Sequence, residues 1–513
     1  MLQRSTRRIR QLHNHLQPAR CSSTATTGAE ITSATTTTHN VINQATALTN
    51  YNAFSDVALQ QGVEKYEASW GYDDLSALGN QVGSAEWQQR SLNANKNGPE
   101  FQPFDRFGHR IESVHFQEDY HSLLNLGISS GAASYAWQED HRGKKGAHVI
   151  RGGLMYLMYQ LNPGVCCPIT MTFAAVPALE GAATTSVEMA NNLEKSFVHE
   201  MIKKLCTPSY SGANEPISTK EGITVGMSMT EKQGGSDVRA NTTTAVPIQN
   251  TNDSKNNNSS SISSAYHLVG HKWFTSAPMS DAFLTLAQTK NGISCFIVPR
   301  WLPSNEKNVG FQLQRLKDKL GDKSNASSEV EYRNAVGYMV GPEGRGVRTI
   351  VDMVTHTRLD CIIGSAALMR QCSQLAVHHC KSRNAFGKTL INQPLMKAVL
   401  SDLAIESESA MALWMRLAAA LDRCSDGNKN LKEAKHEAAF VRLGTAVAKY
   451  WVCKRAPTVA YEAMECHGGN GYIEEGPMAA LYRQSPLNGK DNCYCFFVYS
   501  ALFSNLLFFF LYI

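Results

Sequence analysis

Paired cysteine motifs are absent from this chain. Its 13 cysteines are scattered without one Cys-x-x-Cys pair, which excludes zinc ribbons and thioredoxin-type redox motifs. Cys166 and Cys167 are adjacent, and His378, His379 and Cys380 are contiguous, but neighbours in sequence point in different directions on a helix. We therefore interpret these residues as buried structural side chains and predict no metal site.

An excess of basic charge is also lacking once the first 20 residues are set aside. The chain has 49 basic and 44 acidic residues, and five of the basic ones lie in that stretch, so 49 − 5 leaves 44 of each sign. A neutral body does not supply the basic surface that nonspecific nucleic-acid binding needs. Nucleic acid is therefore not an expected partner.

No acidic residue precedes Glu30. The first 20 residues are rich in arginine and place Leu2, Ile9, Leu12 and Leu16 at helical spacing, a pattern typical of a mitochondrial transit peptide. A disordered basic N-terminus is the alternative. The Thr-, Ser- and Ala-rich stretch that follows cannot bury enough apolar surface to fold. We predict a transit peptide and linker over 1–40 and a location in the mitochondrial matrix.

Charge is missing altogether from residues 493–513, which read CYCFFVYSALFSNLLFFFLYI. The run has about the length that crosses a bilayer as a helix, so a membrane anchor is one interpretation. A non-native ending is the preferred one, because Lys490 alone flanks the run with positive charge and orients a membrane segment poorly. The sequence predicts an atypical tail over 489–513 and a membrane contact only if that tail is genuine.

The remaining chain shows three blocks of hydrophobic periodicity. Apolar residues recur three and four apart through 41–222, which predicts an N-terminal helical domain. Short apolar runs between Asn, Gly and Pro turns predict a β domain over 223–346, with a polar insertion at 250–264. Helical periodicity returns over 347–488. The predicted fold class is α+β, in which a β-sandwich or barrel separates an N-terminal helical domain from a C-terminal helical bundle.

Two glycine-containing segments have residue types that suit a bound dinucleotide. In MTEKQGGSD, Gly235 permits a close backbone approach, while Thr230 and Ser236 offer hydroxyl and amide groups. In ECHGGNGY, Gly468 and Gly469 remove side chains where a cofactor backbone would come close. An ordinary turn is the alternative in both places.

A helix and a strand complete the set of motifs. A long helical pattern ends at an Arg-x-x-Phe-Gly turn, where Arg383 can bind a phosphate with two hydrogen bonds and Phe386 can stack. An arginine that merely interacts with the helix dipole is the alternative. The alternating segment YHLVGHKWFTS predicts a strand, for which a plain edge strand is the alternative interpretation.

These four strings, in this order over roughly residues 41–488, resemble the acyl-CoA dehydrogenase superfamily. MTEKQGGSD is similar to its first signature, and ECHGGNGY to its second. The string CPITMTFAAVP is similar to the alkylation-response (AidB-type) branch. Ala480 and Gln484 depart from the second signature, where charged or amide residues form supporting contacts.

The resemblance implies FAD as the cofactor. The residues that it assigns to cofactor binding are Met229, Thr230, Gly235, Ser236, Phe274, Thr275, Ser276, Arg383, Phe386, Gly468 and Gly469. Arg383 and Phe386 would reach the FAD of a neighbouring subunit in a homotetramer built as a dimer of dimers. An acyl-CoA or related small molecule would be the substrate, and an electron-transfer flavoprotein the acceptor.

The resemblance also implies a carboxylate that takes the α-proton of the thioester while hydride leaves the β-carbon for the flavin. The usual Glu-Gly segment does not follow the second signature, and Thr357 stands at the alternative position, so no catalytic residue is assigned. Two functions stay open: an acyl-CoA dehydrogenase, and an AidB-like flavin-binding protein with weak or no dehydrogenation. A nitroalkane oxidase would need an acid at the same place and is not supported.

Overall fold

The structure is a computed structural model that describes residues 41–185, 192–248, 265–425 and 431–489. The predicted transit peptide, the polar insertion and the tail from residue 490 lie outside the described residues. Among the described residues, the order of elements is helical, then mainly strand, then helical. The predicted α+β fold class is confirmed.

Helices dominate the first part of the chain. Their bounds are α1 Val57–Lys65, α2 Tyr72–Gly83, α3 Ala85–Lys96, α4 Glu118–Ser129, α5 Ala147–Leu161, α6 Pro163–Thr185 and α7 Asn192–Leu205. Helix α5 is buried on nearly all sides, because its sequence AHVIRGGLMYLMYQL is apolar around the whole circumference. It forms the centre of a core to which the C-terminal helices also contribute.

Helix α6 also lies inside the fold. By length and composition its Pro163–Gly181 stretch could cross a membrane, with a mean hydropathy of 1.3. However, 78% of that stretch is buried against other parts of the protein. Its apolar surface is thus used in packing, as expected of a core helix.

A β-hairpin interrupts the N-terminal helices, which the helical periodicity of that stretch did not predict. Strands β1 (Glu100–Phe104) and β2 (Arg110–His115) pair in antiparallel fashion. The Glu112 carboxylate accepts a hydrogen bond from Leu313 N at 3.1 Å, so the hairpin packs onto the β domain. Each strand is too short for its alternation to stand out against the helical pattern around it.

The middle of the chain folds into one seven-stranded sheet. Its strands are β3 Val225–Ser228, β4 Thr244–Pro247, β5 Ala265–Ser276, β6 Ala282–Thr289, β7 Gly292–Pro299, β8 Phe311–Leu316 and β9 Ser327–Val340. The strand order is β3-β6-β4-β5-β9-β7, and β7 also pairs with β6, which closes the sheet into a barrel. The two apolar runs of the sequence, FLTLAQ and SCFIVP, are the buried strands β6 and β7.

The last part of the chain is a bundle of long helices. Its elements are α8 Gly346–Ser382, the two-stranded turn β10 Asn384–Ala385 and β11 Lys388–Thr389, α9 Pro394–Ser425, α10 Leu431–Cys466, α11 Gly469–Tyr472 and α12 Pro477–Gln484. Helix α8 packs against α5, α6, α9 and α10. Its 37 residues span about 55 Å at 1.5 Å per residue. The two ends of α8 are therefore far apart.

A carboxylate from the bundle caps the start of α5. Gly146 precedes the helix at φ +85° and has no side chain that could cap it. Instead, Asp422 of α9 accepts a hydrogen bond from His148 N at 2.8 Å. Burial raises the pKa of the Asp422 carboxyl to about 7, although the backbone amides of His148, Val149 and Gly146 oppose that shift. The cap joins α5 to α9, but ionisation of this buried carboxyl lowers the stability of the fold.

We expect Asp422→Asn to remove a pH-dependent loss of stability. A carboxyl whose pKa is raised in the folded state contributes stability that is lost as pH rises through the folded value, here about 7. The amide oxygen of asparagine can still accept from His148 N without carrying charge. Above neutral pH the variant should be more stable than the parent by on the order of 4 kcal/mol.

The measurement is urea unfolding from about pH 5 to about pH 8. The control is Asp402→Asn, an exposed carboxylate on the same helix, which should leave the pH profile of the parent unchanged. Equal profiles for Asp422→Asn and the parent would contradict this account.

Candidate functional site

The loop after β3 is fixed by backbone contacts to its neighbours. Trp273 N of β5 donates to Thr230 O at 2.7 Å, and Asn241 Nδ2 donates to Met229 O at 3.0 Å. A Cβ on Gly235 would lie 2.4 Å from Thr230 Oγ1, so only glycine fits there. Ser236 is exposed. The loop thus presents Ser236 to the surroundings while Thr230 is held against β5.

A buried ion pair supports this loop from behind. The Glu231 carboxylate accepts from Lys272 Nζ at 2.9 Å, and both side chains are fully buried. Glu231 also accepts from the backbone and hydroxyl groups of Thr242 and Thr243, at 2.6 to 3.2 Å. Lys272 donates to Leu286 O of β6 at 2.9 Å. The pair is therefore well satisfied and joins the two ends of the loop to the barrel.

The ionisation of Glu231 follows from this network. Burial alone raises the pKa of the carboxyl, but the Lys272 charge and the hydrogen bonds from Thr243 and Gln233 outweigh it. The pKa of Glu231 consequently lies well below its usual range. Burial lowers the pKa of Lys272, and Glu231 opposes that shift. Sequence inspection missed Lys272, although a lysine inside an apolar strand is itself a signal of a buried partner.

The end of β5 divides its three predicted site residues between two faces. Phe274 is 42% exposed, and the partly exposed Ser276 places its Oγ 3.2 Å from Ser327 Oγ. Thr275 is buried, and its hydroxyl hydrogen-bonds Ser228 at 2.5 Å inside the barrel. This alternation is the ordinary consequence of the strand period. Phe274 and Ser276 can therefore face a ligand together, and the Thr275 side chain supports them from within.

Two lysines that the sequence did not single out lie beside this strand end. Lys317 Nζ is 3.3 Å from the ring centroid of Trp273 and 5.1 Å from that of Phe274. Lys319 Nζ donates to Ser327 Oγ at 3.3 Å, next to Ser276. Lys317 is also paired with Glu329, so the rim of the strand end is aromatic and holds an ion pair beside the Lys319 ammonium, which suits an electron-rich ring.

The Arg-x-x-Phe-Gly turn lies at the far end of α8. Arg383 is the residue at which the helix ends, and the β10–β11 hairpin follows. Phe386 is 96% exposed at the hairpin tip and has φ +52°, a strained conformation for a bulky side chain. Strain of this kind persists where the surrounding structure enforces it and is common at binding sites.

The chain's own N-terminal segment links this turn to the second glycine-rich turn. Asn43 O accepts from Arg383 at 2.9 Å, and Asn43 Oδ1 accepts from Asn384 N at 2.6 Å. The next residue, Gln44, accepts from Asn470 Nδ2 at 3.0 Å. The ends of α8 and α10 therefore form one surface.

The second turn leaves room for another molecule. Gly468 adopts φ +58°, and a Cβ on either Gly468 or Gly469 would meet nothing within 4 Å. Beyond the turn, Gln484, which departs from the family pattern, exchanges two hydrogen bonds with Asp322, at 2.6 and 2.7 Å. The uncharged side-chain amide of Gln484 thus links α12 to the β domain.

The predicted cofactor residues form two groups that one subunit keeps apart. Residues 229–236 and 274–276 lie in the β domain, whereas 383–386 and 468–469 lie at the C-terminal ends of α8 and α10. Gly346, at the other end of α8, packs against Ser294 of β7, about 55 Å from Arg383 by helix rise. The two groups could hold a single dinucleotide only if a second subunit brought them together.

The position expected for an alternative base carries no carboxylate. Thr357 Oγ1 donates to Val354 O in its own helix at 3.1 Å. One turn later, Asp360 forms two hydrogen bonds with Arg151 and accepts from Thr170 at 2.7 Å. Asp360 is buried and fully engaged, so it is not available as a base. Among the described residues there is also no group of three or more His, Cys, Asp or Glu residues that could hold a metal ion.

Comparisons with known proteins agree with this arrangement along the chain. Residues 43–197 match the model of the adaptive response protein AidB N-terminal domain. Residues 226–335 match the acyl-CoA dehydrogenase middle domain, and residues 344–489 the acyl-CoA dehydrogenase C-terminal domain.

Individual relatives span most of the chain. The putative acyl-CoA dehydrogenase AidB of Escherichia coli (strain K12) is 42% identical over 470 residues, which cover 91% of this chain and 80% of that protein. The crystal structure of Caenorhabditis elegans ACDH-11 in complex with C11-CoA is 25% identical, covers 93% of this chain and 78% of its own, and has a TM-score of 0.78. The apo form of Bd2924 is 26% identical, with a TM-score of 0.74, and covers 87% and 84%.

We expect Glu231→Gln to loosen the loop and destabilise the fold. The substitution leaves the Lys272 charge buried without its carboxylate, which typically costs about 3–5 kcal/mol. Because the pKa of Glu231 is lowered in the folded state, its contribution in the parent is present above the unfolded value of 4.5 and is lost as pH falls. The variant should accordingly lose less stability on acidification.

Chemical unfolding at neutral and acid pH measures both effects. The matched control is Glu331→Gln, which removes a carboxylate from an exposed pair with Arg333 and should change stability by less than about 1 kcal/mol. A Glu231→Gln protein as stable as this control would show that the pair does not support the loop.

Proposed function

This chain belongs to the acyl-CoA dehydrogenase family, in the group with an AidB N-terminal domain, and on that premise we propose that it is an FAD-dependent oxidoreductase. The proposed reaction is α,β-dehydrogenation of an acyl-CoA thioester. The observation that carries the proposal is the junction of the Met229–Ser236 loop with β5, where Trp273 N donates to Thr230 O at 2.7 Å.

The residues at this junction fit a flavin. Phe274 offers an exposed aromatic face, Ser276 a hydroxyl, and Ser236 a hydroxyl and an amide group on an exposed loop. Lys319 adds positive charge at the rim, and Lys317, paired with Glu329, lies over the Trp273 ring. When bound, FAD would supply the acceptor for the hydride that leaves the acyl β-carbon.

The chain's own residues would bind and orient the reactants. Ser276, held by Ser327, can donate a hydrogen bond to a ring atom that becomes more basic on reduction. The Lys272–Glu231 pair holds the loop in place without touching the ligand. Thr357 has a hydroxyl and cannot act as the carboxylate base. The acceptor of the α-proton is therefore not among the assigned residues.

The remaining contacts of the dinucleotide would come from a second subunit. Arg383 suits the pyrophosphate, because a guanidinium can donate two parallel hydrogen bonds to phosphate oxygens. Gly468 and Gly469 leave space for a backbone approach. We propose a homo-oligomer on these grounds. A homologous structure holds C11-CoA, which supports an acyl-CoA as the ligand class.

A second candidate function is a flavin-binding protein with little dehydrogenation. It is favoured by one observation: Thr357 occupies the alternative base position, and the neighbouring Asp360 is committed to Arg151. Loss of a well-placed general base lowers a rate by about 10²–10⁴-fold, while cofactor binding can survive.

Anaerobic titration of the FAD-reconstituted protein with acyl-CoA separates the two candidates. We expect the purified chain to bind FAD and the flavin absorbance to bleach on addition of thioester, because hydride enters the ring. A yellow protein that no thioester bleaches would favour the second candidate. A folded preparation that stays colourless after reconstitution would contradict both.

The intersubunit role of Arg383 has its own test. We expect Arg383→Lys to weaken FAD binding by about 10- to 100-fold, because a charged, two-point contact is reduced to one. The readout is the FAD dissociation constant together with the oligomeric state. Arg333→Lys, an exposed arginine on β9, is the control and should bind FAD like the parent. Unchanged FAD affinity in the oligomeric Arg383 variant would remove it from the site.

A further inference from the structure

Residues 43–46 lie across the C-terminal ends of α8 and α10, and we call this segment the N-terminal bridge. It is anchored where His378 Nε2 of α8 donates to Thr46 O at 2.7 Å. Just beyond this contact, Leu48 packs against the main helical core. The position of the bridge is therefore fixed by its own subunit, independently of any ligand.

Asn43 of the bridge holds the backbone of the Arg-x-x-Phe-Gly turn with its side-chain amide. Its Oδ1 accepts from Asn384 N at 2.6 Å, and its Nδ2 donates to Asn384 O at 2.9 Å. This pair of contacts needs a carboxamide, because a carboxamide combines an acceptor with a donor. Asn43 also has φ +56°, a left-handed conformation that asparagine adopts more readily than most other residues. Both the side chain and the backbone of this position therefore suit asparagine.

The same residue fixes one edge of the Arg383 side chain. Arg383 Nη1 donates to Asn43 O at 2.9 Å, and this is the one hydrogen bond that the described residues give to that guanidinium. The N–H groups of Nε and Nη2 are thus left for the oxygens of a phosphate. A side chain that is already held in place loses less conformational entropy when it binds a ligand. Asn43 therefore prepares Arg383 for a phosphate and need not touch the phosphate itself.

A second contact extends the bridge to the glycine-rich turn. Gln44 Oε1 accepts from Asn470 Nδ2 at 3.0 Å. Asn470 directly follows Gly468 and Gly469, where a Cβ would meet nothing within 4 Å. A site assembled from two separate turns needs a link of this kind, because its groups must keep their spacing when the ligand binds. Two adjacent residues of the bridge thus fix the two turns relative to each other.

Exposed apolar side chains surround the bridge. Val41, Ile42, Phe386 and Tyr472 are between 76% and 96% exposed in one subunit. Each lies within two positions of a residue that forms a bridge contact. Exposed apolar side chains that cluster in this way mark interaction sites, and the second subunit of the proposed oligomer would cover them. The bridge hydrogen bonds would then be shielded from water, which strengthens them.

We propose that Asn43 is a positioning residue of the dinucleotide site, which holds the Arg383 side chain in place for the pyrophosphate of a second subunit's FAD. The inference rests on the proposed function, because it assumes that this turn meets FAD across a subunit interface. It adds a residue from the N-terminal domain that lies outside the four motif strings.

The test measures the FAD dissociation constant of the reconstituted oligomer for Asn43→Gly. Glycine accepts the left-handed backbone and keeps the carbonyl group, but it removes both side-chain contacts to Asn384. We expect FAD affinity to fall by about 2- to 10-fold, because the Arg383 side chain must then be ordered when FAD binds. Urea unfolding of the flavin-free protein should change little, because the lost hydrogen bonds are exposed.

A double-mutant cycle with Arg383→Lys separates positioning from a general effect on the fold. Lysine lacks the planar guanidinium that Asn43 holds. Asn43→Gly should therefore weaken FAD binding less in the Arg383→Lys protein than in the parent. Equal losses of affinity in the two proteins would overturn the proposal.

The matched control is Asn334→Gly, which replaces an exposed asparagine of β9 with a similar φ of +58° and should leave FAD affinity unchanged. A yellow parent whose affinity is retained in Asn43→Gly would overturn the inference and leave the proposed function standing. Tighter FAD binding by Asn43→Gly would also overturn it, since the bridge would then compete with the cofactor. A folded parent that stays colourless would contradict the proposed function and this inference with it.

Discussion

The buried pair between Arg151 and Asp360 is the contact on which the helical half of this molecule depends. It joins α5 to α8, and Thr170 of α6 bonds the same carboxylate at 2.7 Å. Removing two charges from water is expensive, and such a pair is retained where its geometry is complete. Here the same arginine also holds Phe173 in place. One interaction therefore joins three helices, holds the Phe173 ring and engages both carboxylate oxygens of Asp360.

Much of the fold follows from periodicity, and the departures have local causes. The runs FLTLAQ and SCFIVP are buried strands, and the helix before Arg383 ends where the pattern indicates. The β1–β2 hairpin was hidden because its strands are short and depend on a contact to Leu313. Tertiary contacts of this kind leave no trace in local propensity.

The motif strings propose residues for the candidate site but not their geometry. The motif strings name Thr230, Phe274 and Ser276, yet strand alternation turns Thr275 inward, to Ser228. Lys317 and Lys319 lie in the connection between β8 and β9 and contact the end of β5 and its neighbour Ser327. No linear motif links that connection to β5. The aromatic cluster of Trp137, His148, Phe173 and His356 likewise draws its members from four separate elements, so only the folded structure brings them together.

Two facts about the site bear on catalysis together. The Glu231–Lys272 pair supports the loop, and pairing with β9 supports β5. The loop and β5 together therefore form a rigid surface for an aromatic ring. A residue that would accept the proton is not identified, because the Thr357 hydroxyl at the alternative base position donates to Val354 O in its own helix. Hydride transfer and proton removal act on opposite faces of one bond, and both must be in place for fast turnover. In the proposed function, binding of cofactor and thioester does not depend on this base, so spectroscopic binding measurements are more informative for this chain than turnover alone.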